Sequence, residues 1–216
     1  MNARPSKFKL SFFLSMTSIC PETASRIIGF TGKLRSGKST AAQLLYDAWP
    51  YAKAYKYSFA EPLKQAVGAA FDLDDDQLHD EKMKEQIDDR YGVTPRKMLQ
   101  KIGTEWFRDR LQQDVGVQFR YPGGLWINRF FQFVEEHPRA SLIIIDDVRF
   151  PDEAEAIRAC NGVLIRIEGP EDQDGAAVPS HASEKGDFPV NATLVNEKTS
   201  KLRLLSDVLE VVTGYE

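Results

Sequence analysis

Cysteine is scarce in this chain, with Cys20 and Cys160 the two among 216 residues. They form no metal-binding spacing, and a reduced cytoplasmic protein is the simplest account. Positive charge is not in excess either: 28 Lys and Arg face 32 Asp and Glu, a formal net charge of −4. No global basic field is present to draw a nucleic-acid polymer, so any anion must be recognised by local basic residues. No segment is long and apolar enough to span a membrane. Internal repeats, low-complexity blocks and any Ser-His-Asp or Cys-His arrangement are also missing. What remains is an ordinary globular balance, 42% hydrophobic and 28% charged, in a chain long enough for one domain with a sizeable core.

Residues 1–25 stand apart. Residues 8–20 are moderately apolar behind basic residues, as in a secretion signal. Lys9, Ser11, Ser15, Thr17 and Ser18 interrupt that run, and no small-x-small cleavage site follows. The stretch reads as a disordered or adventitious leader, with Met16 an alternative start, and the fold is expected to begin near Arg26.

The most informative run is Gly32-Lys33-Leu34-Arg35-Ser36-Gly37-Lys38-Ser39, followed by Thr40. It fills the phosphate-binding pattern G-x-x-x-x-G-K-[ST] at every fixed position. Glycines let the backbone curl until successive N–H groups face phosphate oxygens, the lysine reaches the β and γ phosphates, and the serine hydroxyl can ligate Mg²⁺. Context agrees: residues 26–31 read as a buried strand and 38–49 as a helix, with Ala41, Ala42, Leu44 and Leu45 on an apolar face. The N-terminus of that helix adds partial positive charge at the same place.

Further along, 52–59 alternates as a second strand and 61–71 reads as a helix. Asp72 to Asp76 form an acidic break, better explained as a solvated loop and helix cap than as a metal site. Thr94 as N-cap and Pro95 at the first helical position open another helix, with Gly103 to Glu105 a candidate break before Trp106 and Phe107. After a turn at 121–124, a helix is expected over 125–136. Residues 141–147 form the strongest strand, four apolar residues running into Asp146 and Asp147, as expected in a parallel sheet buried on both faces. A helix over 152–160, strands over 162–167 and 192–195, and a helix over 199–212 complete an alternating pattern. That pattern means an α/β fold with a central parallel sheet.

Ligands of such sheets bind at the C-terminal strand ends. Asp146 and Asp147 end a buried strand downstream of the phosphate loop, so one of them is expected to hold Mg²⁺ while the other caps the next helix. Arg149 follows and could clamp an anionic substrate bidentately or pair with Asp152 or Glu153. Residues 58–64 leave the second strand at the same edge. Residues 169–189, rich in Gly, Pro, Ser and Asp and flanked by Arg166 and Lys185, read as a lid that would keep water from a transferable phosphate. His181 inside it reads as a substrate or hydrogen-bond contact, not a general base. An acceptor that is itself a phosphate needs no base, because its oxygen is already anionic.

Five segments together resemble the deoxynucleoside monophosphate kinase family of phages and some bacteria: Gly32 to Thr40, Tyr57 to Lys64 (YSFAEPLK), Thr94 to Glu105 (TPRKMLQKIGTE), Ile145 to Glu153 (IDDVRFPDE) and His181 to Glu184 (HASE). The resemblance implies a P-loop nucleoside-monophosphate-kinase fold over 26–216, with a helical monophosphate-binding part near 60–138 and a mobile lid near 169–189. It implies transfer of the ATP γ-phosphoryl group to a deoxynucleoside monophosphate, giving the diphosphate and ADP. ATP would be held by Gly32, Lys33, Arg35, Ser36, Gly37, Lys38, Ser39 and Thr40, with Mg²⁺ on Ser39 and Asp146 or Asp147. Lys38, Asp147 and Arg149 would carry catalysis. Arg96, Gln100, Arg108 and Arg149 would face the acceptor, Glu61 and Lys64 would line the same cleft, and Arg166, His181 and Lys185 would belong to the lid. Family loops often carry Asp-Thr after the loop lysine, where this chain has Ser39-Thr40. Glu171, Asp172 and Asp174 are expected to face solvent.

Two rivals remain at this stage: a P-loop kinase of another phosphorylated metabolite, similar to dephospho-coenzyme A kinase, and a nucleotide-driven switch or assembly ATPase. Trp106, Phe107, Tyr121 and Trp126 could stack on a base or fill the core. The expected partners are small molecules, with no nucleic-acid polymer or membrane and with a homodimer left open. The expected location is cytoplasmic, in the host if phage-encoded.

Overall fold

The densest apolar stretches of the chain line up side by side in one all-parallel sheet. The computed structural model describes residues 26–170 and 188–214. In it β1 (Arg26–Thr31), β2 (Ala54–Tyr57), β3 (Leu142–Ile145), β4 (Val163–Glu168) and β5 (Ala192–Val195) lie in the order β2-β3-β1-β4-β5. Ile27 sits opposite Ile143 and Ile28 opposite both Ile144 and Val163, so the centre of the sheet is branched aliphatic on both faces. Side chains alternate along a strand, and one strand therefore feeds two cores.

On one face Ile28, Phe30 and Ile144 pack against Leu45 of α1 (Lys38–Ala48) and Val208 of α8 (Lys201–Gly214). On the other face Ile27, Ile143 and Ile145 meet Phe130 and Phe131 of α6 (Gly124–Glu136) and Ile157 of α7 (Pro151–Ala159). The result is a three-layer arrangement with the phosphate loop at the C-terminal end of the central strand.

Between β2 and α6 the chain builds a helical part: α2 (Glu61–Phe71), α3 (Asp75–His79), a 3₁₀ turn (Met83–Glu85), α4 (Pro95–Gln100), a π-helical stretch (Lys101–Arg108) and α5 (Leu111–Val115). Its own small core is Val67, Leu73, Leu78 and Met98. Asp88, 7% exposed, takes Arg90 Nη2 at 2.7 Å and Gln77 Nε2 at 2.9 Å and staples the connecting loop. The acidic break serves as a cap, since Asp74 accepts from Gln77 N at 2.8 Å at the start of α3.

Two boundaries differ from the sequence-based expectation. β2 ends at Tyr57 because residues 58–60 turn away from the sheet to bond Asp147. β4 carries the half-buried Arg166, which donates to Phe188 O at 2.8 Å. Gly103 does not break the helix. α4 runs into the π stretch, whose wider turn shows as Asp109 N donating to Thr104 O at 3.1 Å, five residues back.

Candidate active site

The phosphate loop is pressed against two neighbours that only glycine allows. Gly32 and Gly37 have φ of 138° and 102°. A Cβ at Gly32 would lie 2.2 Å from Ile167 O, and one at Gly37 would lie 2.1 Å from Asn196 Nδ2. Asn196, 8% exposed, donates from Nδ2 to Ser36 O at 2.9 Å and from its backbone to Glu168 O at 2.7 Å, so the turn after β5 pins the loop from behind. Lys38 folds back over the loop, its ammonium donating to Gly32 O at 2.8 Å and Lys33 O at 2.5 Å. Those carbonyls hold the lysine at the loop that a polyphosphate would occupy.

Asp146 and Asp147 leave β3 side by side but differ in employment. Asp147 Oδ2 accepts from Ser58 Oγ at 2.7 Å and Ala60 N at 2.8 Å, and Oδ1 accepts from Phe59 N at 3.0 Å. It closes the start of α2 onto the end of β3. Burial pushes its carboxyl above the usual range, the adjacent Asp146 adds to that, and the Ser58 bond opposes it. Asp146 lines the open groove beside Lys38, Ser39 and Thr40.

A second pocket opens on the other side of Asp147. Its walls are Phe59, Leu63, Leu99, Trp126 and Phe150, and its polar groups include Arg96, Gln100 and Thr104. Arg108 forms part of the wall: Nη1 lies 2.5 Å from Asp152 Oδ2, Nη2 bonds Glu153, and the guanidinium sits 3.8 Å above the Phe150 ring. Glu153, 2% exposed, also accepts from Arg149 N at 2.8 Å and Phe150 N at 3.0 Å. Burial pushes its carboxyl up to about 7, against the pull of Arg108.

No family model matches the chain. A protein of Acanthamoeba polyphaga mimivirus, provisionally named a deoxynucleotide monophosphate kinase, is 37% identical over 80% of this chain and 89% of its own length. The chain belongs to the deoxynucleoside monophosphate kinase family. It is therefore a kinase, a phosphotransferase with a nucleotide-binding P-loop. The deoxynucleoside-5′-monophosphate kinase of Escherichia phage T5 is 23% identical over 75% of this chain and 85% of its own. Among solved structures, the APS kinase of Mycobacterium tuberculosis aligns with 89% of this chain and 99% of its own at 10% identity and a TM-score of 0.41, a likeness too loose to carry weight.

Within this kinase the sequence-predicted residues fall into two groups around Asp147. Lys38, Ser39, Thr40 and Asp146 line the P-loop groove. Arg96, Gln100 and Arg108 line the second pocket, and Lys64 and Arg149 line both. Arg149 is exposed, and its guanidinium has no hydrogen-bond or ion-pair partner among the described residues; Arg108 is the residue that pairs with Asp152 and Glu153. Glu61, expected to line the cleft, is not among the lining residues of either pocket; it lies 3.3 Å from His79 Nε2 and 3.6 Å from Lys64 Nζ. Tyr121 is a core residue at 4% exposure, Trp126 at 6% belongs both to the core and to the wall of the second pocket, and Trp106 is exposed outside it. Arg166 anchors Phe188 on β4, while His181 and Lys185 lie outside the described residues, as does most of the expected lid.

Lys84, Glu81, Phe150 and Asn196 were not singled out by the sequence reading. No motif marks the first two, which lie in a polar connecting segment. Asn196 follows an edge strand with ordinary composition, and its bond to Ser36 spans 160 positions.

Proposed function

We propose that the kinase transfers the γ-phosphoryl group of ATP to the 5′-phosphate of a deoxynucleoside monophosphate, producing the diphosphate and ADP. The observation that carries this reading is the meeting of two clefts: Ala60, Lys64, Lys84, Asp147 and Arg149 line both the P-loop groove and the apolar-walled pocket. A donor phosphate in one cleft and an acceptor phosphate in the other would meet at those side chains. The names of the viral relatives support the acceptor class.

An acceptor phosphate oxygen attacks the γ-phosphorus while the bond to the bridging oxygen of ADP breaks. The attacking oxygen is already anionic, so positioning and charge stabilisation replace a general base. Lys38 exchanges its loop carbonyls for the β and γ phosphates. Arg149, which makes no ion pair among the described residues, serves the group in transit, and Gln100 faces the acceptor together with Arg96, whose guanidinium is positioned by Glu81 and Glu85. The oxygen donors of Ser39 and Asp146 suit Mg²⁺, a hard cation. When bound, Mg²⁺ supplies charge neutralisation on the phosphates. Asp147 is the positioning carboxylate, because its lone pairs already serve residues 58–60.

The test is a coupled ADP-release assay with ATP and Mg²⁺ against deoxynucleotides, ribonucleotides, dephospho-coenzyme A and no acceptor. Turnover should depend on one or more deoxynucleoside monophosphates, and Lys38→Ala should lower it by at least about 100-fold with the melting temperature retained. Turnover with dephospho-coenzyme A alone, or hydrolysis without any acceptor, would refute the reading.

A further inference from the structure

The roles assigned above leave out the most enclosed lysine of the helical part. Lys84, in the 3₁₀ turn, is 9% exposed, and its ammonium lies 2.6 Å from Glu81 Oε1. The other Glu81 oxygen accepts from Arg96 Nη2 at 2.6 Å. Glu81 lines the P-loop groove, Arg96 the acceptor pocket and Lys84 both, so one carboxylate tethers two cations across the junction. Burial alone would raise the Glu81 carboxyl, and Lys84 with Arg96 holds it below the usual range instead.

Lysine normally keeps its ammonium in water by extending its stem. Enclosing it beside a single carboxylate costs desolvation free energy that the pair offsets only in part. An anion arriving at the same point changes that balance. Arg108 is held by Asp152 and Glu153 and Lys38 belongs to the donor loop, so positive charge at this point comes from Lys84 together with Lys64 and Arg149, which also line both clefts.

We propose that Lys84 is a catalytic residue that contacts the phosphoryl group as it passes between the clefts, with Glu81 as the positioning residue that holds it at the junction. A compact ammonium with three rotatable donors suits a group that moves, where a planar guanidinium suits one that stays. The inference rests on the phosphoryl-transfer reading above.

The experiment compares wild-type enzyme, Lys84→Met, Lys84→Arg and the double variant Lys84→Met/Glu81→Gln, which leaves no unpaired carboxylate. The assay uses ATP and the deoxynucleoside monophosphate that the wild type accepts. Lys84→Met should lower kcat by about 100- to 1000-fold, with KM for ATP changed less than about threefold and Lys84→Arg recovering at least tenfold. The double variant should melt like wild type and stay slow. A bisubstrate analogue joining adenosine to that deoxynucleoside through five phosphates should bind Lys84→Met at least about tenfold more weakly, since it fills both clefts. If Lys84→Met keeps kcat within threefold of wild type, or if adding Glu81→Gln restores the activity lost in Lys84→Met, the role of Lys84 is purely structural and the proposal fails while the kinase reading stands. A wild type that phosphorylates no deoxynucleoside monophosphate overturns both.

Discussion

A carboxylate that already accepts three hydrogen bonds has little left to offer a metal ion. Asp147 is in that position, and its neighbour Asp146 is not. Replacing Asp147 with Asn keeps one acceptor oxygen for Ser58 Oγ and Ala60 N but turns an amide N–H toward Phe59 N, where two donors confront each other. Asp147→Asn is expected to cost about 1–3 kcal/mol, moderated by relief of its repulsion with Asp146. Thermal melting will show the loss, and kcat/KM for the acceptor will fall with it because residues 58–60 launch α2. The acid pair and its place at a strand end were legible from four apolar residues running into two aspartates. Which acid does which job was not, because the deciding donors come from residues 87 to 89 positions away.

Elements set the shape of the second pocket, the proposed acceptor site, through one close approach. Gly103, in the π-helical stretch, faces α2, and a Cβ there would lie 2.2 Å from Leu63 Cδ2. That methyl is the end of a flexible side chain, and Leu63 lines the pocket, so added bulk would move it toward the acceptor. Gly103→Ala is expected to raise the acceptor KM by about three- to tenfold, the effect of about 1 kcal/mol of overpacking. KM for ATP should not move, and the melting temperature should change little because alanine favours the helix. Steady-state kinetics with each substrate varied in turn checks this. The Thr94-Pro95 start of α4 was readable from capping chemistry alone, and Thr94 Oγ1 does accept from Lys97 N at 3.2 Å. Gly103 looked like a break because a glycine reads the same in sequence whether it ends a helix or makes room for a neighbour.

At the scale of the whole molecule, Glu153 joins the sheet edge to the helical part. It receives the backbone of Arg149 and Phe150 ahead of α7 and the guanidinium of Arg108 from the π stretch. Its carboxyl is raised from 4.5 to about 7 by burial, so the folded state holds the proton more tightly than the unfolded chain. The stability this contributes is fully present below about pH 4.5 and is lost as pH rises to about 7, an effect on the order of 1–3 kcal/mol. Glu153→Gln cannot ionise and escapes that loss. Its melting temperature relative to wild type should therefore rise steadily from pH 4.5 to pH 7 and level off above, which paired melts across the range will show.

Local chemistry determined much of this protein from sequence alone. The spacing of the phosphate loop, the branched aliphatic runs of β1 and β3 and the caps of α3 and α4 depend on neighbours within a few positions, so they are written contiguously. The parallel α/β architecture followed from their alternation. The tertiary structure alone decided the strand order, the pairing of Arg108 with Asp152 and Glu153, the pinning of Ser36 by Asn196, and the enclosure of Lys84 at a junction of two clefts. Each joins different segments of the fold, and two charged or polar residues acquire a mutual role only when burial removes the water that would otherwise serve them separately.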